Sequence, residues 1–166
     1  MSIGRIYLIG MPGSGKSYFG RMLSESLKLD LVDLDSVIEE KEARSISDIF
    51  GADGEAYFRK VENRILKEVS EQYENIIVST GGGTPCFLDG LDYMNQNGVT
   101  VFLEADKELL VERLISKSHR PLVKGDTESR VKELLKTRLP IYQKAQISIE
   151  HREVDLLLDE IKSLKS

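Results

Sequence analysis

Gly10-Met11-Pro12-Gly13-Ser14-Gly15-Lys16-Ser17 follows directly on the apolar run Arg5-Ile6-Tyr7-Leu8-Ile9 and precedes Phe19, Met22, Leu23 and Leu27 at helical spacing. These eight residues fit the pattern G-x-x-x-x-G-K-[ST] at every position, with the strand before and the helix after that the pattern requires. Glycines here let backbone N–H groups turn inward around phosphate oxygens, where side chains would obstruct them. Lys16 then reaches the β- and γ-phosphates of a nucleotide, and the Ser17 hydroxyl is offered to Mg²⁺. The following helix presents the positive end of its dipole to the anion. Gly13, Ser14, Gly15, Lys16 and Ser17 are therefore the expected nucleotide contacts. A chance glycine-rich turn is the competing reading, and the flanking strand and helix weigh against it.

Outward from this loop, short apolar runs alternate with helical stripes. Leu31-Val32 predicts a second strand, Asn75-Ile76-Ile77-Val78 a third, Val99-Thr100-Val101-Phe102-Leu103 a fourth and Gln146-Ile147-Ser148-Ile149 a last one. Between them, Val61, Ile65, Leu66 and Val69, then Leu109, Leu110 and Leu114, then Val131, Leu134 and Leu135, recur at helical spacing. Leu157, Leu158, Ile161 and Leu164 predict a closing amphipathic helix. Such alternation predicts an α/β fold, a parallel sheet covered on both faces. Ligands of these sheets bind at the carboxyl ends of the strands. Residues 117 to 127 have no apolar period and mix Lys, His, Arg, Pro and Gly, which predicts an exposed mobile loop.

The 166 residues fit one domain, long enough to bury a core without staples. A formal charge of −5 argues against a general nucleic-acid binder. Cys86 is the one cysteine, so no intrachain disulfide exists and a reducing compartment is expected, with Cys86 a buried free thiol. The apolar run before Gly10 is too short for a membrane span and lacks a cleavage pattern, so the expected location is cytoplasmic. No exposed apolar stripe stands out, and a monomer is the default expectation.

The remaining unusual residues cluster after predicted strands. Asp33 and Asp35, if the chain is still extended there, point the same way into the site. Equally, Asp33 ends a strand and Asp35 caps the next helix. Arg59 and Glu62 stand three apart on a helix, so the carboxylate can orient the guanidinium for bidentate capture of an anion. A surface ion pair is the alternative. Gly81-Gly82-Gly83 either lets backbone approach a ligand or makes a flexible turn. Arg120, with Lys117, His119 and Lys124 nearby, is either a loop cation closing on a phosphoryl group or a solvated charge. In Arg138-Leu139-Pro140-Ile141-Tyr142 a proline interrupts a helical stretch, either aiming Arg138 into the cleft or leaving it in solvent. His119 and His151 have no metal-ligand spacing between them.

Taken in order, these pieces resemble the shikimate kinases over nearly the whole chain. The matching residues are Gly10 to Ser17, Asp33-x-Asp35, and Ile46 through Ile49-Phe50 to Gly54-Glu55-x-x-Phe58-Arg59-x-x-Glu62. Gly81-Gly82-Gly83, Arg113, Arg120-Pro121-Leu122 and Arg138-x-Pro140-x-Tyr142 complete the set. The resemblance implies a three-layer phosphate-loop fold with a five-stranded parallel sheet of order 2-3-1-4-5. It implies a substrate-binding region at about 35–62, a lid at about 117–127, and transfer of the ATP γ-phosphoryl group to the 3-hydroxyl of shikimate. On that basis Arg59 and Arg138 grip the shikimate carboxylate, and Asp35 with the backbone of Gly81, Gly82 and Gly83 holds the hydroxyls. Phe50 and Phe58 shape the wall, and Asp33 supports Mg²⁺ through water together with Ser17. Arg113 lies against adenine and Arg120 is the lid cation. Lys16, Asp35 and Arg120 are the implied catalytic groups.

Leu34, in place of a small polar residue, and Thr84-Pro85, where an aliphatic residue is more usual, depart from the common pattern. Both bear on pocket shape. The competing functions are a kinase of gluconate or a nucleoside monophosphate, and a nucleotide-binding module without transferase activity.

Overall fold

The computed structural model describes residues 3–117, 124–150 and 154–164. The chain begins with β1 (Arg5–Ile9), α1 (Lys16–Leu27), β2 (Leu31–Asp33), α2 (Leu34–Glu42), α3 (Ile46–Gln72) and β3 (Ile76–Ser79). A short 3₁₀ turn (Thr84–Cys86) leads to α4 (Gly90–Asn97), β4 (Val99–Glu104), α5 (Lys107–Lys117), α6 (Lys124–Tyr142), β5 (Ile147–Glu150) and α7 (Val154–Leu164). All four strand pairings are parallel, in the order β2-β3-β1-β4-β5 expected of the phosphate-loop fold.

Strand β1 lies at the middle of the sheet, and Ile6, Tyr7, Leu8 and Ile9 are all fully buried. Successive side chains of a strand point to opposite faces, so this run feeds two cores. Ile6 and Leu8 pack with Phe19 and Leu23 of α1 and with Leu157 and Ile161 of α7. Tyr7 and Ile9 pack on the opposite side with Leu34 and Ile38 of α2, Ile65 and Leu66 of α3, and Val131 of α6. Three layers result. Because β1 pairs with β3 on one side and β4 on the other, the chain reverses direction across the sheet at its carboxyl end. That crevice is where ligands bind in open parallel sheets.

Three expectations change. The loop foreseen over residues 117 to 127 is helical at both ends, since α5 extends to Lys117 and α6 begins at Lys124, and its residues 118–123 lie outside the described ones. Thr127, expected on an exposed loop, is buried. Thr127 lies in the first turn of α6 as an inward polar residue, which a search for apolar periodicity passes over. His119, Arg120 and His151 lie outside the described residues. Helix α6 also continues through Pro140 to Tyr142, since a proline so near the end forfeits one hydrogen bond without stopping the helix. In α7, Leu157 and Ile161 are buried as expected, but Leu164 is 55% exposed at the helix end.

Helix α3 is broken at Gly54, whose φ of 82° and ψ of 174° no helix accommodates. Among the described residues no helix is long and apolar enough to cross a membrane.

Candidate active site

The loop after β1 is closed by its own lysine. Lys16 is buried, and its Nζ donates to the carbonyls of Gly10 at 2.8 Å and Met11 at 2.9 Å. Gly13 and Gly15 have φ of 81° and 93°, a left-handed backbone that L side chains rarely adopt. At Gly10 a Cβ would stand 2.9 Å from the Leu103 carbonyl oxygen. With no acidic residue in its first turn, α1 presents an unopposed positive end to this loop. Lys16, Ser17, Asp33, Asp35, Gly81 and Gly82 all line one cavity of about 330 Å³. Ser17 and Asp33 supply hard oxygen donors to it, a set suited to Mg²⁺ that keeps most of its water.

Asp33 and Asp35 reach that cavity by a different route from the extended chain first considered. Asp33 ends β2 and caps α2, its carboxylate accepting from the Ser36 N–H at 3.2 Å. Asp35 already sits in the first helical turn. Buried Leu34 anchors the corner between them, which is why the helix starts so early. Burial pushes the Asp35 carboxyl up to about 6, and the negative charges of Asp33 and Glu62 add to the rise against the opposing pull of Lys16.

Arg59 is no surface ion pair, being 8% exposed beside a Glu62 that is 2% exposed. One amino group donates to Glu62 Oε1 at 3.0 Å, and the other donates to Glu55 Oε1 at 3.2 Å. The guanidinium carbon lies 4.0 Å from the ring centre of Phe87 and 5.1 Å from that of Phe58. Phe50, at the edge of solvent, packs on Phe58 with ring centres 4.7 Å apart. The cation is thus fixed from four sides.

The three glycines form the floor that these groups share. A Cβ on Gly81 would stand 3.0 Å from Asp35 Oδ1, one on Gly82 3.0 Å from Arg138 Nη1, and one on Gly83 2.4 Å from Arg59 Nη1. None of the three has a positive φ, so it is space rather than backbone freedom that demands glycine here. Tyr142, buried at the end of α6, donates to the Gly82 carbonyl and fixes the strip from below. Cys86 is a half-buried free thiol beneath it, and burial pushes its pKa up. From α5, Arg113 donates to the Gly13 carbonyl at 2.8 Å and so braces the phosphate loop.

The structure therefore brings together Lys16, Ser17, Asp33, Asp35, Arg59, the three glycines and Arg138, with Phe50, Phe58 and Arg113 at the margins. Sequence reasoning missed Phe87 and gave Thr84 no role. Phe87 is a lone aromatic outside any period, and Thr84 acts through a hydrogen bond to Glu62, 22 residues away.

The shikimate kinase family model matches residues 12–161. The shikimate kinase of Azobacteroides pseudotrichonymphae is 46% identical over 129 residues, covering 77% of this chain and 76% of that protein. Among solved structures, the shikimate kinase of Bacteroides thetaiotaomicron superposes with a TM-score of 0.87 at 34% identity, covering 98% of both chains. That of Acinetobacter baumannii, in complex with shikimate, also gives 0.87, at 32% identity over 98% of this chain and 94% of its own.

Proposed function

The chain belongs to the shikimate kinase family, and from that premise we propose how its residues divide the work of an ATP-dependent phosphoryl transfer. Arg59 and Arg138 grip the shikimate carboxylate. Asp35 and the backbone of Gly81 to Gly83 hold the ring hydroxyls, with Phe50 and Phe58 as the wall. The observation that carries this reading is the glycine floor, where a Cβ added at consecutive residues would stand 3.0 Å from Asp35, 3.0 Å from Arg138 behind Pro12, and 2.4 Å from Arg59, beside the phosphate loop. An arginine pair and a carboxylate on one floor complement a polyhydroxylated ring acid, since planar guanidinium forks suit a carboxylate and an acceptor oxygen suits a hydroxyl.

Phosphoryl transfer asks for positioning and charge neutralisation more than for covalent chemistry. Lys16 holds positive charge at the mouth of the loop where phosphate oxygens collect. Arg120, by the sequence argument alone, is the lid cation that adds to it. Asp35 orients the 3-hydroxyl and takes its proton as the new P–O bond forms, and a carboxylate with a raised pKa accepts that proton more readily. Ser17 and, through water, Asp33 would hold Mg²⁺, which when bound neutralises charge on the phosphates. Arg113 lies against the adenine. Residues of about 35–62 serve as the substrate-binding region and about 117–127 as the lid. The single cysteine and the acidic charge support a cytoplasmic protein without a nucleic-acid partner, and a monomer is the simplest assembly.

A coupled ADP-release assay with Mg-ATP tests the reading, with shikimate, gluconate, CMP and no acceptor compared. Turnover with shikimate that is abolished by Lys16→Ala is expected. Turnover with another acceptor alone would discard the pocket assignments, and ATP binding without turnover on any acceptor would make the chain a binding module.

A further inference from the structure

Glu62 has two carboxylate oxygens, and Arg59 occupies only one of them. Arg59 Nη1 donates to Oε1 at 3.0 Å, while the Thr84 hydroxyl donates to Oε2 at 2.9 Å. Both bonds are buried, with Thr84 3% and Glu62 2% exposed. Thr84 itself cannot drift. Its N–H donates to the Gly81 carbonyl at 3.1 Å, and Gly90 packs so closely on its carbonyl that a Cβ there would stand 2.1 Å from the oxygen. A fixed backbone thus aims one hydroxyl at one oxygen of the carboxylate that orients Arg59.

We propose that Thr84 is a positioning residue for shikimate: by pinning the second oxygen of Glu62 it fixes the rotation of that carboxylate and so aims the Arg59 guanidinium at the substrate. The proposal rests on the reading of Arg59 as the carboxylate anchor. It gives a role to one of the positions where this chain departs from the common shikimate kinase pattern.

Electrostatics lead to the same place. Burial raises the pKa of Glu62, and the charge and hydrogen bond of Arg59, the hydroxyl of Thr84 and the charge of Arg138 oppose the rise. Asp35 from α2 repels it, and the Cys86 thiol lies close by. Removing the hydroxyl removes one of the groups that favour the charged carboxylate, so Glu62 would protonate at higher pH. A neutral Glu62 holds the guanidinium less firmly, because a charge-assisted hydrogen bond is roughly twice as strong as a neutral one.

The test is Thr84→Val, which keeps the shape and deletes the hydroxyl, with Thr84→Ser as rescue. The expected result is a shikimate KM raised about five- to tenfold, the cost of leaving one buried acceptor unpaired. The kcat and the ATP KM should stay within about twofold, and the acid limb of the shikimate KM profile should move to higher pH. Serine should restore all of these. A purely packing role would lower Tm and spare the pH profile. Wild-type KM and an unmoved acid limb in the valine variant would overturn the proposal. If that variant does not fold, Thr84→Ala gives the same readouts. Arg59→Ala, run alongside, separates the two ideas: an unchanged KM there removes the anchor reading itself, whereas a raised KM there with a silent Thr84→Val removes only the role of Thr84.

Discussion

Arg59 lies directly over the backbone of Gly83, so that a single added carbon would stand 2.4 Å from Nη1, 2.6 Å from Nη2 and 2.7 Å from the central guanidinium carbon. No real side chain tolerates such contacts, and the Arg59 tip must move. It cannot move freely, because Glu62 and Glu55 hold it by hydrogen bonds and the Phe87 ring covers its face. Gly83 is therefore a condition for the arginine rather than for the turn.

Gly83→Ala should accordingly weaken substrate binding, with some loss of Tm as well because the displaced Arg59 leaves Glu62 a buried, less compensated charge. Displacing one partner of a buried charge pair costs about 2–5 kcal/mol. The shikimate KM should rise by at least about thirtyfold, while the KM for ATP changes little. Arg59→Ala should reproduce the effect. Steady-state kinetics with each substrate varied in turn, beside a thermal melt, check the claim. A large loss of Tm at unchanged KM would make Gly83 a folding residue.

On the proposed assignment, Asp35 links pH to both activity and stability, with opposite signs. Its folded pKa, about 6, lies above the ordinary 3.8, so the folded state holds a proton between these values that the unfolded chain has released. Stability from this group is fully present below about 3.8 and is lost as pH rises through about 6. Asp35→Asn should then raise Tm by a few degrees at pH 7.5, with the gain vanishing near pH 4. Activity runs the other way. The wild-type kcat should fall as pH drops below about 6, and the asparagine variant should lose about 10²–10⁴ in rate. Paired melts and pH profiles decide, and a variant less stable at pH 7.5 would refute the burial argument.

The sheet and the phosphate loop were legible because their signals are contiguous in the chain. Arg5 to Ser17 spells strand, loop and helix in one stretch, and Arg59 with Glu62 follows from helical spacing. Asp33 and Asp35 were legible as a pair, and of the two geometries the sequence left open the strand ending at Asp33 holds, but Asp33 rather than Asp35 is the cap, because buried Leu34 already belongs to the helix. The contacts that complete the site are not contiguous. Thr84 reaches Glu62, Phe87 reaches Arg59 and Tyr142 reaches Gly82 only once α3, the 3₁₀ turn and α6 have packed. No periodicity within one element encodes such meetings.

Arg120 and Arg59 should separate cleanly in kinetics if one serves the transition state and the other the ground state. A cation that meets the phosphoryl group only during transfer changes kcat, by about 10³–10⁵ where it acts as an arginine finger. One that holds the substrate carboxylate throughout changes KM. Arg120→Ala should therefore lower kcat far more than it raises the shikimate KM, the reverse of Arg59→Ala. A change in KM alone would end the lid-cation role.

Arg113 carries the last prediction, because it touches the nucleotide loop without approaching the glycine floor. Its guanidinium donates to the Gly13 carbonyl from α5, tying that helix to the residues that must wrap the phosphates. Gly13 meets the same side chain from below, where a Cβ would come within 3.5 Å of Arg113 Cβ, so the two are in close register. Losing one hydrogen bond to a charged donor costs about 1.5–3 kcal/mol, which corresponds to a ten- to hundredfold weaker hold on whatever the loop binds. Arg113→Ala should raise the KM for ATP by roughly that factor and leave the shikimate KM within about twofold. Arg113→Lys should recover little, since a flexible, compact ammonium does not reproduce the planar, pre-organised fork that reaches the Gly13 carbonyl. Titration of the variant with ADP, beside a shikimate titration, checks it. An equal loss for both ligands would mean that Arg113 supports the whole cleft rather than its nucleotide half.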